Sequence, residues 1–217
     1  PMEVLALKKL SAVESVVNMR EYFFTKTNFV IVMPYSQRNL DLFDFICKRG
    51  VIDESDAKPI FAQIVASLKQ IHIQGFMHGD VKDENILIDL DTNAVKVIDF
   101  GAVRFIADEP YHEFTGTFKP PEWYRNRWYE AEPCTVWCLG ILLYEMVCGQ
   151  TPFSNEFEIV RAEPSFNKSH LSAQVIDLII KCLEKTPEAR PTLDAITQHP
   201  WIDDISPYQN TAAQFVQ

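Results

Sequence analysis

The sequence lacks a long apolar run: its longest strictly apolar stretch, Val136 to Tyr144, stops at Glu145, far short of the about 20 residues a bilayer-spanning helix needs. It also lacks a basic start followed by an apolar stretch. Glu3, Lys8 and Lys9 fall in a helix-like pattern instead, so no secretory signal is expected and the cytoplasm is the default compartment, with a nuclear pool left open. Basic residues are in deficit, 20 Lys and Arg against 30 Asp and Glu, for a net charge of -10. That balance repels nucleic acid phosphates and anionic lipid, and it fits a basic partner or mere solubility equally well. No Cys-x-x-Cys pair occurs among Cys47, Cys134, Cys138, Cys148 and Cys182, so these read as reduced core thiols. Cys134 and Cys138 could share a helix face, but His72, His78, His112, His170 and His199 complete no metal-ligand set around them. Repeats, low-complexity runs and charge blocks are missing as well.

What is present is the composition of an ordinary folded protein, with 47% hydrophobic and 23% charged residues in 217, enough for one large domain. Val4, Leu5, Leu7 and Leu10 have helical spacing, and Tyr22 to Phe24 and Phe29 to Met33 are strand-like. Ala57, Ile60, Phe61, Ile64, Val65, Leu68 and Ile71 form the strongest helical stripe, ending near Gly75, with Asp53 or Ser55 as cap. Pro59 inside its first turns predicts a late start or a kink. Ile86 to Ile88 and Val95 to Ile98 flank a turn-rich Asp89 to Asn93 and read as a hairpin. Trp137 to Val147 is apolar all round and should be a central buried helix, with amphipathic helices near Ser172 to Leu183 and Leu193 to Gln198.

The chemistry concentrates in His78-Gly79-Asp80-Val81-Lys82-Asp83-Glu84-Asn85, followed by Asp99-Phe100-Gly101. Phosphoryl transfer from a nucleotide needs a carboxylate to orient the acceptor hydroxyl, a cation near the moving phosphate and oxygen ligands for magnesium. Asp80, Lys82, Asn85 and Asp99 supply those types, matching a general phosphotransferase pattern. Taken alone, Asp-Phe-Gly or His-Gly-Asp is more often a turn or a capped strand end. Gly116-Thr117, Pro120-Pro121-Glu122-Trp123 and Arg190-Pro191-Thr192 agree with the same pattern.

The chain resembles the Pim serine/threonine protein kinases over nearly its whole length. The resemblance rests on Pro1 to Val4, Asp41 to Ile46, Lys82 to Asp89, Pro120 to Trp123, Leu139 to Tyr144 and His199 to Trp201. It implies an α+β, protein-kinase-like fold: an N-lobe remnant of one helix and two strands with the hinge (1–35), a mainly helical C-lobe (36–202) and a tail (203–217). It implies transfer of the ATP γ-phosphate, with Mg2+, to serine or threonine of basic, arginine-rich protein substrates, by a monomer. Asp80, Lys82 and Thr117 would be catalytic. Met33 would guard the back of the nucleotide pocket and Tyr35 lie in the hinge; Leu87, Asp41, Glu84 and Asp99 would complete the nucleotide set. Asn85 and Asp99 would hold the metal, and Asp41, Asp44 and Glu84 the basic substrate, although capping and solvation also explain Asp41 and Asp44. Glu3, as the glutamate of the first helix, His78, Phe100, Gly101 and an ion pair of Glu122 with Arg190 would be structural.

Departures from that pattern carry expectations of their own. The glycine-rich loop and the strand lysine that Glu3 should hold are absent from these 217 residues, so the chain alone is expected to be poorly active, with an exposed strand edge, as a piece of a longer kinase. Gly79 replaces the usual arginine, so no guanidinium grips an activation-segment phosphate from that position. Only four residues separate Thr117 from Glu122, two fewer than the family pattern, which leaves the pocket for the residue after the acceptor in doubt. Thr135 replaces an aspartate that pins the catalytic loop in many kinases. Two alternatives stay open: a pseudokinase or interaction module, and, more remotely, a small-molecule phosphotransferase of the aminoglycoside or choline kinase type.

Overall fold

Helix α5 (Ala131–Cys148) organises the chain: every residue from Cys134 to Cys148 is buried, so the helix has no solvent face. Its length and mean hydropathy of 1.3 match a membrane span, yet 89% of it is buried inside the protein, as a core helix is. The computed structural model describes residues 1–166 and 171–203. Against α5 pack α3 (Glu54–Ile73) and α7 (Ala173–Cys182), and α8 (Leu193–Thr197) and α9 (Pro200–Asp203) pack in turn on α3. The stripe read from the sequence, Ala57 to Ile71, is the buried face of α3.

The late start at Pro59 is corrected. Helix α3 begins at Glu54, its first turn closed by Asp56 and Ala57 donating to the Asp53 carbonyl, and it runs through Pro59. The acceptor deprived by the missing proline N–H belongs to Ser55, which is exposed, so water can satisfy it. Asp53 is the N-cap residue, but its side chain makes no capping bond.

The N-terminal part contains α1 (Met2–Lys9) and an antiparallel pair, β1 (Glu21–Phe24) with β2 (Phe29–Val32). All four β1 residues are exposed. A second sheet is richer than the expected hairpin: β5 (Ile86–Asp89) pairs with β6 (Val95–Val97) and also with β3 (Asn39–Asp41), which leads into α2 (Leu42–Arg49). The short strands β4 (Phe76–Met77) and β7 (Arg104–Phe105) pair beside the end of α3. Helices α4 (Pro121–Asn126) and α6 (Glu156–Arg161) flank α5. Apart from Asp203, the expected tail lies outside the described residues, as does His170.

Candidate active site

The loop from His78 to Asn85 is held by its own side chains. His78 is fully buried; its Nε2–H donates to the Ile98 carbonyl at 2.9 Å while its Nδ1 accepts from the Asp80 backbone N–H at 3.3 Å. That pairing needs a neutral ring, and burial lowers the His78 pKa in the same sense, outweighing the opposing pull of Asp80 and Asp99. The ring also meets Phe100 edge-on at 4.9 Å. One histidine thus ties the loop carrying Asp80 to the strand exit carrying Asp99.

Asp80 is gripped from three sides. Its Oδ1 accepts from the Thr117 backbone N–H at 2.6 Å, its Oδ2 from Asn85 Nδ2 at 3.3 Å, and Lys82 Nζ lies 3.6 Å from Oδ2. Asn85 Nδ2 also donates to the Asp80 carbonyl at 2.7 Å. Thr117 therefore reaches Asp80 through its backbone rather than its hydroxyl. Lys82 pairs with Glu84 at 2.8 Å, and that hydrogen bond leads the causes raising its pKa. The Ile98 N–H donates to the Asn85 carbonyl at 3.0 Å, bringing Asp99 next to Asn85 across the β5–β6 pair. Asp99 adopts φ 58°, and its Oδ1 accepts from the Gly101 N–H at 3.1 Å. This left-handed turn is uncommon for a residue with a Cβ.

The donor set suits magnesium. Asn85 uses its NH₂ on Asp80, leaving its amide oxygen for a cation, and Asp99 adds a carboxylate. Mg2+ takes one or two such oxygens together with substrate phosphates. Among the described residues no cluster of three or more His, Cys, Asp or Glu could hold a metal by itself, so phosphate oxygens would have to complete the shell.

Other expected residues are placed as follows. Met33 and Tyr35 are exposed, Tyr35 at 87%, and Leu87 is half-buried in β5. Asp41 is the N-cap of α2, accepting from the Asp44 N–H at 2.7 Å, so the capping role holds for Asp41, with Asp44 exposed in the first turn. Asp41 also raises the pKa of Asp83, after burial and Glu84. Glu3, on α1, makes no ion pair among the described residues; burial first and Asp99 second raise its pKa. Arg190 donates two hydrogen bonds to the Glu122 carboxylate, at 2.8 and 2.6 Å, in a buried bidentate ion pair, and it also donates to the Pro133 and Glu184 carbonyls. Thr135 donates to the Ala131 carbonyl and meets His72 Nε2 at 3.1 Å. Its hydroxyl thus ties α5 to α3 rather than pinning the catalytic loop. The segment after Thr117 borders a cavity of about 80 Å³, lined by Thr117, Phe118, Tyr124, Ile141 and Phe153 among others.

Sequence reasoning missed Glu145. It is buried on α5, its Oε2 has no hydrogen-bond partner, and burial, then Asp83 and Glu84, push its pKa up to about 8. The available signal was a single carboxylate ending an otherwise apolar helical run.

A protein kinase domain model matches residues 1–202. The chain belongs to the protein kinase family. It is 44% identical over 194 residues to the serine/threonine-protein kinase pim-2 of Danio rerio, covering 88% of this chain and 62% of that protein. It is 40% identical over 209 residues to the serine/threonine-protein kinase prk-2 of Caenorhabditis elegans, covering 93% and 47%. A 34% identity over 206 residues links it to the serine/threonine-protein kinase PSK2 of Saccharomyces cerevisiae, with 93% and 19% covered. The chain therefore spans less than two thirds of the length of these relatives. Kinases of this family use ATP and Mg2+.

Proposed function

We propose that this chain is the catalytic core of a Pim-like serine/threonine kinase that phosphorylates basic protein substrates. The carrying observation is the grip on Asp80 by Thr117 N–H, Asn85 and Lys82. A carboxylate held at both oxygens keeps a fixed orientation and presents its remaining lone pairs in set directions, which is what an acceptor hydroxyl needs. In this reading Asp80 orients the serine or threonine hydroxyl and takes its proton, while Lys82 stays protonated beside the moving phosphate. Asn85 and Asp99 would hold the cation. Bound Mg2+–ATP supplies the phosphoryl group and its charge neutralisation; the chain's own residues bind, orient and accept the proton.

Preference for basic substrates is supported by one electrostatic cluster. Asp41 and Glu84 act on Asp83, and Asp83 and Glu84 act on Glu145. An arginine side chain entering there would relieve that mutual repulsion and give the orphaned Glu145 oxygen a partner. Because Glu3 meets no cation among the described residues, turnover by the chain alone is proposed to be slow. The proposal includes action in the cytoplasm as a monomer.

The test compares the wild type and Asp80→Asn for phosphate transfer from ATP to an arginine-rich and to an acidic serine peptide, with Mg2+. Transfer that favours the arginine-rich peptide and falls at least a hundredfold in the variant is expected. Equal rates in the two proteins would overturn the reading. ATP-dependent stabilisation with no transfer in either would favour the pseudokinase.

A further inference from the structure

We infer that Gly79 and Gly116 form a backbone seat that docks the activation segment directly onto the catalytic loop, making both glycines positioning residues for Asp80. The inference deepens the kinase reading and rests on it for its kinetic consequence. Its geometry stands independently. A Cβ on Gly116 would lie 2.3 Å from the Gly79 carbonyl oxygen, and a Cβ on Gly79 would lie 2.2 Å from the Ala102 carbonyl oxygen. Those blocking atoms are backbone, which cannot swing aside as a flexible side chain can. Three main-chain segments therefore meet at van der Waals distance: the loop at Gly79, the start of the activation segment at Ala102, and its end at Gly116.

Immediately on either side of that contact sits the bond that matters. Gly79 precedes Asp80 and Gly116 precedes Thr117, and the Thr117 N–H donates to Asp80 Oδ1 at 2.6 Å. The seat fixes the approach of the two chains, and the hydrogen bond reads it out. Gly79 has φ +87°, a conformation that side chains rarely adopt. An arginine could therefore not simply be restored there.

The intervening segment is held by tyrosines. Tyr111 and Tyr129 exchange backbone bonds at 2.8 and 3.1 Å and stack at 5.2 Å. Tyr111 Oη donates to the Phe105 carbonyl at 2.6 Å, and Tyr129 Oη donates to the Glu113 carbonyl at 3.0 Å. Phe114 and Trp123 complete the cluster against Tyr129. These contacts hold the segment between Ala102 and Gly116 against the start of α5.

The decisive experiment is Gly116→Ala in the full chain, read by amide hydrogen exchange. Thr117 exchange should rise at least tenfold while protection in α5 is retained, and kcat for a peptide should fall at least tenfold with KM for ATP unchanged. Gly75→Ala is the control: Gly75 also has positive φ, +82°, but a Cβ there meets nothing within 4 Å, so backbone strain without close approach should leave Thr117 exchange unchanged. Tyr111→Ala should raise exchange across the intervening segment, and Tyr111→Phe should restore part of it. Unchanged Thr117 exchange in Gly116→Ala overturns the inference. If exchange behaves as expected but the wild type transfers no phosphate, the kinase reading fails and the seat stands.

Discussion

At the N-terminal end of α5, Arg190 meets Glu122 through two short bonds and places its remaining donors on the Pro133 and Glu184 carbonyls. At the C-terminal end, Glu145 is also buried, yet one oxygen has no partner and its nearest charges, Asp83 and Glu84, have the same sign. Both ends bury a carboxylate in the same helical body. The difference lies in which is complete. A satisfied pair fixes the body and asks for nothing further, whereas an unsatisfied carboxylate opposes folding and persists where something outside the chain can complete it. On that reasoning, the first end belongs to the fold, and the second is where we propose that a substrate arginine completes the site.

Breaking the complete end should have the largest effect. Arg190→Ala leaves Glu122 buried without compensation, an expected loss of about 3–5 kcal/mol in urea unfolding. The double variant Glu122→Leu with Arg190→Met should recover most of it, because removing both charges removes the penalty as well. A loss under about 1 kcal/mol for Arg190→Ala would show that water replaces the guanidinium and that the two ends do not differ.

The incomplete end should show itself in pH dependence. The Glu145 pKa, raised to about 8 from an ordinary 4.5, means that the folded state holds a proton the unfolded state has released. Its favourable contribution is complete below pH 4.5 and is lost as pH rises towards 8, by at most about 3 kcal/mol at neutral pH. Glu145→Gln keeps the shape without the ionisation and should flatten that slope. It should also weaken binding of an arginine-rich peptide. A wild-type stability that does not decline between pH 5 and 8 would mean that Glu145 is solvated and the comparison is mistaken.

Periodicity made most of this body legible. The buried stripe of α3 and the all-round apolarity of α5 could be read because burial selects side chains at helical spacing, and the protein-kinase-like fold followed from motifs that the structure gathers around Asp80. Pro59 misled the reading, since propensity penalises a missing donor without knowing that the Ser55 carbonyl faces water. The strand β3 and the seat at Gly79 and Gly116 were hidden for another reason: both depend on segments far apart in sequence meeting backbone to backbone, which leaves no side-chain pattern. Glu145 was visible as a residue, but not that Asp83 and Glu84 would converge on it.

Between its ends α5 is held by packing and by side-chain hydrogen bonds such as Tyr144 Oη to the Ser165 carbonyl at 2.6 Å, and Gly140 tests the packing. A Cβ there would lie 2.8 Å from Cys182 Cβ and 2.9 Å from two Leu183 carbons, so α7 and the residue after it approach the helix backbone directly. Gly140→Ala should cost about 1–3 kcal/mol through overpacking, even though alanine is the better helix former. Unaltered or increased stability would show that Leu183 gives way and that the contact is loose. Either result leaves the charge at both ends unchanged, which separates packing from electrostatics.

The smallest effect concerns a cation beside the complete end. Lys185 Nζ is buried without a hydrogen-bond partner, 3.9 Å from the Phe153 ring centroid and 5.1 Å from that of Trp137. Burial comes first, ahead of Arg190 and Arg125, among the causes that lower its pKa to about 8. The sign is opposite to that of Glu145: between pH 8 and 10.5 the unfolded chain holds more protons, so this residue makes stability rise with pH. Partial exposure of the side chain reduces the effect to about 1 kcal/mol, and the aromatic faces return part of the desolvation cost. Lys185→Met keeps the volume, should abolish that rise, and should change stability at pH 7 by less than about 1 kcal/mol. Removing the neighbouring guanidinium in the Glu122→Leu, Arg190→Met protein should move the Lys185 titration upwards, readable by NMR of its ε-methylene. A titration that stays in place would mean that Arg190 is screened from Lys185, and that the complete end is closed even to its nearest charge.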